Sequence, residues 1–166
     1  KFFYIPIYDS LNSKIKKKDY LYDVAFLGFL NERRSYIANG LKNMGHKIYI
    51  SDNHIWGDRK KNLMNNTKII IDIPRSTEFN IPNVHRIVFP MYNKNMTIME
   101  SPRVDFEDDI IKSYTIMCKY DEILSKTDDI IKNYDKYLTD VYKDYDSDNT
   151  NMYYMKYIDS FLEDCV

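Results

Sequence analysis

Two continuous apolar runs constrain this chain most: Tyr22–Phe29 (YDVAFLGF) and Lys68–Ile73 (KIIIDI). Short runs without polar alternation read as strands buried on both faces, and such strands belong to parallel sheets covered by helices. Between them, His46–Ser51 (HKIYIS) alternates and reads as a further strand. The segment joining the first two strands carries helix signals. Asn31 can cap free backbone N–H groups, Glu32 suits the first turn, Ile37, Leu41 and Met44 keep helical spacing, and Gly45 is a stop. Strand, helix and strand in so short a span make one βαβ unit with parallel strands.

The pattern repeats down the chain. Gly57–Asn66 is a short polar helix candidate, Pro74 ends the Lys68–Ile73 strand, Thr97–Glu100 reads as a fourth strand and Tyr114–Cys118 as a fifth. Asp121–Tyr137 reads as one helix with Ile123, Leu124, Ile130, Ile131 and Tyr134 on its apolar side. Tyr153, Tyr157, Phe161 and Leu162 predict a final amphipathic helix. The expected fold is a Rossmann-like α/β domain: an open parallel sheet of about five strands with helices on both faces. Residues 1–20 form an extended lead-in and linker, 21–140 the domain, and 141–166 a C-terminal helix that packs on the domain or on a missing half. The run Lys14, Lys16, Lys17, Lys18 in the linker reads as a solvated loop.

Composition narrows the function. The 166 residues hold 44% hydrophobic and 30% charged side chains, a globular mixture. Lys and Arg total 24 against 25 Asp and Glu, so no overall field favours nucleic acid or an anionic membrane. No apolar run reaches the roughly 20 residues of a membrane span. Cys118 and Cys165 form no metal-ligand pair and no disulfide framework, which favours a reducing compartment, and a cytoplasmic location is expected. His46, His54 and His85 have no spacing that makes a metal site. The chain holds 16 Tyr and only 4 Gly, with abundant Asn, Lys and Ile. That bias fits an AT-rich genome such as that of a large DNA virus, which would place the protein in host cytoplasm or virion. The first residue is Lys1, with no targeting segment before it, so a chain that begins inside a longer polypeptide is expected.

In an open parallel sheet, ligands bind beyond the carboxyl ends of the strands. The residues there are Gly28, Asn31, Arg33 and Arg34 after the first strand, and Ser51, Asp52, His54 and Trp56 after the second. Arg75, Ser76 and Thr77 follow the third strand; Glu100, Ser101, Arg103 and Asp105 follow the fourth. Cations and hydroxyls in this number suit a phosphorylated or sugar-bearing ligand. Arg33 and Arg34 sit in a first helical turn, where the dipole disfavours cations unless an anion is near. Gly28 permits either a tight turn or close approach of a ligand. Trp56 either packs or stacks on a base. The fingerprint G-x-G-x-x-G, a P-loop and G-x-S-x-G are all absent, and the acidic pair of a receiver domain is missing.

The stretch YDVAFLGFLNERRSYIANGLKNMGHKIYI resembles the opening of the C-terminal, donor-binding half of GT-B glycosyltransferases of the group 1-like kind. HIWGD, NNTKIIIDIPRS and HRIVFPMYNKNMTIMES resemble later blocks of that half, with Arg86 and Glu100 at matching positions. The resemblance runs from about Tyr4 to Tyr137. It implies a nucleoside-diphosphate sugar as substrate, no cofactor, and a donor and phosphate site at Gly28, Arg33, Arg34, Arg86 and Glu100; Asn31 joins that site by its place after the first strand, and Trp56 is the candidate for base stacking. It also implies an acceptor, protein or glycan, and a companion N-terminal half or a second copy. The family's donor-site Glu is Phe89 here, Pro90 follows where a helix should run, and the family's Gly five residues on is Lys94. Two functions therefore stand: a glycosyltransferase donor domain, and a non-catalytic descendant that serves as a binding or assembly module.

Overall fold

The computed structural model describes residues 19–51, 55, 57–76, 78, 84–102 and 109–145, with the backbone alone at Val84, His85 and Ile110. The strands are β1 (Tyr22–Leu27), β2 (Ile48–Ser51), β3 (Thr67–Asp72), β4 (Met96–Glu100) and β5 (Ile116–Cys118). The helices are α1 (Glu32–Asn43), α2 (Gly57–Asn65), α3 (Val84–Tyr92), α4 (Asp109–Tyr114), α5 (Ile123–Lys132) and α6 (Tyr134–Tyr142). All strand pairs are parallel and the sheet order is β2-β1-β3-β4-β5. This is the expected Rossmann-like arrangement. The chain steps outward from β1 to β2, then returns past β1 to β3. The order therefore reverses between β1 and β3, and the crevice where such sheets bind ligands is the space beyond their carboxyl ends.

The central strands are buried on both faces, as their unbroken apolar runs require. Val24, Ala25, Ile69 and Ile70 are wholly inaccessible, and Phe26 and Ile71 nearly so. Val24, Phe26, Ile69 and Ile71 share a core with Ile37 and Leu41 of α1 and Ile123 and Ile130 of α5. Ala25 and Ile70 face the other way, against Leu63 and Met64 of α2 and Phe89 of α3. Right-handed crossovers produce this split: the path from β1 to β2 runs opposite to every later step, so its helix falls on the opposite face. Gly40 lets α1 and α5 come close, because a Cβ there would lie 2.8 Å from a methyl of Leu124.

Some elements differ from the sequence reading. The single helix expected over Asp121–Tyr137 is a 3-10 turn (Tyr120–Glu122), then α5, then α6. The break falls at Asn133 (φ −117°, ψ 32°), whose side-chain amide donates to the Asp129 carbonyl at 3.1 Å and to its carboxylate at 2.9 Å. An Asn side chain that takes a helical carbonyl competes with continuation of the helix. Tyr114 ends α4 rather than opening β5, so the fifth strand is only three residues long. Helix α3 runs through Pro90 despite the lost donor, two residues before its end. The helix expected from Tyr153 onward lies outside the described residues, as do the lead-in before Asp19 and the lysine run.

Helix α6 closes the amino edge of the sheet. The Tyr142 hydroxyl donates to the Asn95 carbonyl at 2.7 Å and the Tyr134 hydroxyl to the Lys68 carbonyl at 3.2 Å. The Asn95 side-chain amide donates to the carbonyls of Met64 (2.8 Å) and Thr67 (2.6 Å), so the starts of β3 and β4 and the end of α2 are tied together.

Candidate functional site

The site grows from the turn that follows β1. Gly28 leaves the strand at φ +97°, in the left-handed region where a side chain is strained. The space a side chain would need is also taken, since a Cβ there would lie 2.8 Å from Nη2 of Arg86. Arg86, on α3, thus lays its guanidinium on bare backbone. Its Nη1 donates to Oδ1 of Asp72 at 3.2 Å, and Asp72 is the buried last residue of β3. One end of the guanidinium is anchored and the other faces the turn.

Asn31 caps α1, its Oδ1 accepting from the Arg34 backbone at 3.1 Å, as its position predicts. Its amide nitrogen also donates to the Arg75 carbonyl at 2.6 Å, across the crevice. Arg34 is 6% exposed; its Nε donates to the Ile73 carbonyl at 2.8 Å and its Nη1 to the Phe29 carbonyl at 2.7 Å. These bonds hold the loop after β1 against the loop after β3. Arg33 reaches further along the edge. Its Nη2 lies 2.7 and 2.9 Å from the two Glu100 oxygens, and its Nη1 donates to the Pro74 carbonyl at 3.2 Å. The Arg33 guanidinium also sits 4.3 Å from the centre of the Tyr120 ring, whose hydroxyl donates back to the Arg33 carbonyl at 2.8 Å.

The crevice gathers positive charge. Burial lowers the pKa of Arg34, and the neighbouring guanidinium of Arg86 lowers it further, with Arg75 and Arg33 adding to the effect against Asp72. Burial and then Arg86 likewise depress Lys60, whose ammonium lies 4.4 Å from the centre of the Phe89 ring. Two of these cations have a carboxylate partner here, Arg33 with Glu100 and Arg86 with Asp72.

The structure therefore brings Gly28, Asn31, Arg33, Arg34, Arg86 and Glu100 into one crevice at the switch point. Asp52, His54, Trp56, Thr77, Arg103 and Asp105 lie outside the described residues. Sequence reasoning missed Asp72 and Tyr120. Asp72 left a signal, as the lone acid inside an apolar strand; Tyr120 left none. No group of three or more His, Cys, Asp or Glu among the described residues can hold a metal ion. A separate cleft of about 500 Å³ lies under α2 beside edge strand β2, lined by Tyr22, Tyr49, Arg59, Asn62 and Leu63 among others. None of the expected donor residues is among its described lining.

The positions that depart from the glycosyltransferase pattern have physical explanations. Phe89 is 8% exposed and packs with Ala25, Leu63, Met64 and Ile70, so it fills core instead of facing ligand. Lys94 has φ +54°, the left-handed conformation that a glycine adopts freely.

This chain is similar to uncharacterized proteins of Acanthamoeba polyphaga mimivirus. One is 29% identical over 128 residues, covering 75% of this chain and 45% of the relative. A second is 27% identical over 132 residues, covering 78% and 17%. A third is 30% identical over 115 residues, covering 68% and 37%. The chain spans less than half the length of each of these relatives. The relatives agree with the viral origin that the composition suggested. No family model matches the chain. No solved structure matches it. No helix among the described residues is long and apolar enough to cross a membrane.

Proposed function

We propose that this domain is the donor-binding half of a glycosyltransferase, taking the diphosphate of a nucleotide sugar in the crevice between the carboxyl ends of β1 and β3. The observation that carries this reading is the Arg86 guanidinium lying on Gly28 in a crevice where cations crowd one another. A diphosphate would relieve that repulsion and accept charge-assisted hydrogen bonds from Arg86. Asn31, Arg33 and Arg34 fix the loops around it, and Glu100, held by Arg33, offers carboxylate oxygens to sugar or ribose hydroxyls. In transfer, the bond between the anomeric carbon and the phosphate oxygen breaks, and a new bond forms to the acceptor oxygen. The leaving diphosphate carries the developing charge, and preorganised cations stabilise it there. The acceptor, protein or glycan, and its base would come from a companion N-terminal half or a second copy.

The second reading is a non-catalytic binding or assembly module. It is favoured by Phe89, buried where a hydroxyl-binding Glu is expected, and by the Arg33–Glu100 pair, in which each group already has a partner. A thermal-shift screen with nucleoside diphosphates and nucleotide sugars separates the two. A donor at 100 times its Kd stabilises by about 2.7 kcal/mol. A screen without any stabilising nucleotide supports the module instead.

A further inference from the structure

Phe29 is 64% exposed, yet it stands between Gly28 and Leu30 beside a charged crevice. Its placement is fixed from below. Arg34 holds the Phe29 carbonyl at 2.7 Å, and Asn31 holds the Arg75 carbonyl at 2.6 Å. The two residues at the lip are thus tethered by side chains of the same helix start. Their own side chains meet: the Arg75 guanidinium lies 5.8 Å from the centre of the Phe29 ring. Among the described residues, no carboxylate pairs with Arg75, and its neighbour there is an aromatic face. A ring held open to solvent on a hydrogen-bonded base, with a guanidinium beside it, is a surface on which a planar heteroaromatic ring stacks. The phosphate-binding part of the crevice begins one residue away, at Gly28.

We propose that Phe29 and Arg75 form the platform for the nucleobase of the ligand, so that nucleotides bind more tightly than bare diphosphate. This rests on the donor-site reading and assigns to Phe29 the stacking that the sequence suggested for Trp56. Stacking of one base on an aromatic side chain is worth about 1–3 kcal/mol, or roughly five- to a hundred-fold in affinity.

Calorimetric titration tests it with the 5′-diphosphates of uridine, guanosine, adenosine and thymidine, and with inorganic pyrophosphate. The wild-type protein should bind at least one nucleotide more tightly than pyrophosphate. Phe29→Ala should weaken that nucleotide by roughly five- to a hundred-fold and leave pyrophosphate unchanged. Phe29→Trp should restore binding, and Arg75→Ala should weaken the nucleotide more than pyrophosphate. Arg86→Ala should weaken both classes of ligand. Nucleotide affinity equal to that of pyrophosphate, or unaffected by Phe29→Ala, overturns the platform; if Arg86→Ala still weakens both, the donor-site reading survives. If neither nucleotides nor pyrophosphate bind, both readings fall together.

Discussion

The two edges of the sheet solve opposite problems. At the amino edge, neutral side chains close a network: Tyr142 on Asn95, Tyr134 on Lys68, and Asn95 on Met64 and Thr67. Its charged groups pair locally. Asp23 binds Lys68 at 2.7 Å, and Asp128 joins His46 at 2.9 Å and Lys132 at 2.6 Å. At the carboxyl edge, the guanidinium groups of Arg33, Arg75 and Arg86 stand close enough to depress Arg34, a glycine stands at positive φ under one of them, and a phenylalanine is exposed to solvent. Stability alone does not favour the second arrangement. Strain and crowded like charges of this kind are the features on which the proposed site rests.

The largest expected effect tests the sheet that joins the edges. Ile70→Asp places an unpaired charge at a wholly buried position between α2 and α3. That costs several kcal/mol against a total of roughly 5–15, so the variant should lack a cooperative melting transition by circular dichroism. A well-folded variant would break the account of both faces.

Next comes a contrast between the edges. Glu100→Ala leaves the Arg33 guanidinium without its carboxylate. The pair is partly solvated, with side-chain exposures of 21% and 11%, so the loss should be about 2–4 kcal/mol in urea denaturation. Tyr142→Phe at the amino edge should cost less, about 1–2 kcal/mol, from one unsatisfied carbonyl at Asn95. Of the two, only Glu100→Ala should also change ligand binding. Equal effects on binding would erase the functional difference between the edges.

The smallest effect is in pH. Burial raises the pKa of Asp23, but hydrogen bonds from Lys68 and the Lys47 backbone outweigh it and hold the carboxyl below its usual value. A depressed carboxyl stabilises the fold above its unfolded pKa, and that contribution fades as pH falls through the lowered folded value. Melting temperature should therefore drop on acidification below the ordinary carboxylate range, and less steeply in Asp23→Asn. Identical slopes would remove Asp23 from the clamp at the amino edge.

Much of the fold was legible because its strands are nearly pure apolar runs. Val24–Phe26 and Ile69–Ile71 are buried on both faces, as such runs demand. The Asn31 cap was equally legible, since capping depends on local spacing. The helices α3 and α4 were not read from periodicity. The first is apolar almost throughout and contains a proline, and the second spans only six residues. At the crevice, sequence reasoning named residues that lie together, Gly28, Asn31, Arg33, Arg34 and Glu100 from their places after strands and Arg86 from the resemblance. It did not reveal their partners. Arg33 meets Glu100 across 67 positions and Arg34 meets Ile73 across 39, and only the closed sheet brings them together. What reads as two arginines awaiting an anion is two arginines that bond carbonyls and a carboxylate across the crevice.

The most direct measurement is backbone amide chemical-shift mapping during titration with inorganic pyrophosphate. The account predicts perturbations that cluster at Gly28, Phe29, Asn31, Arg75 and Arg86, with Asn95, Tyr134 and Tyr142 silent. Shifts concentrated at the amino edge, or in the cleft beside β2 around Tyr49 and Asn62, would contradict it.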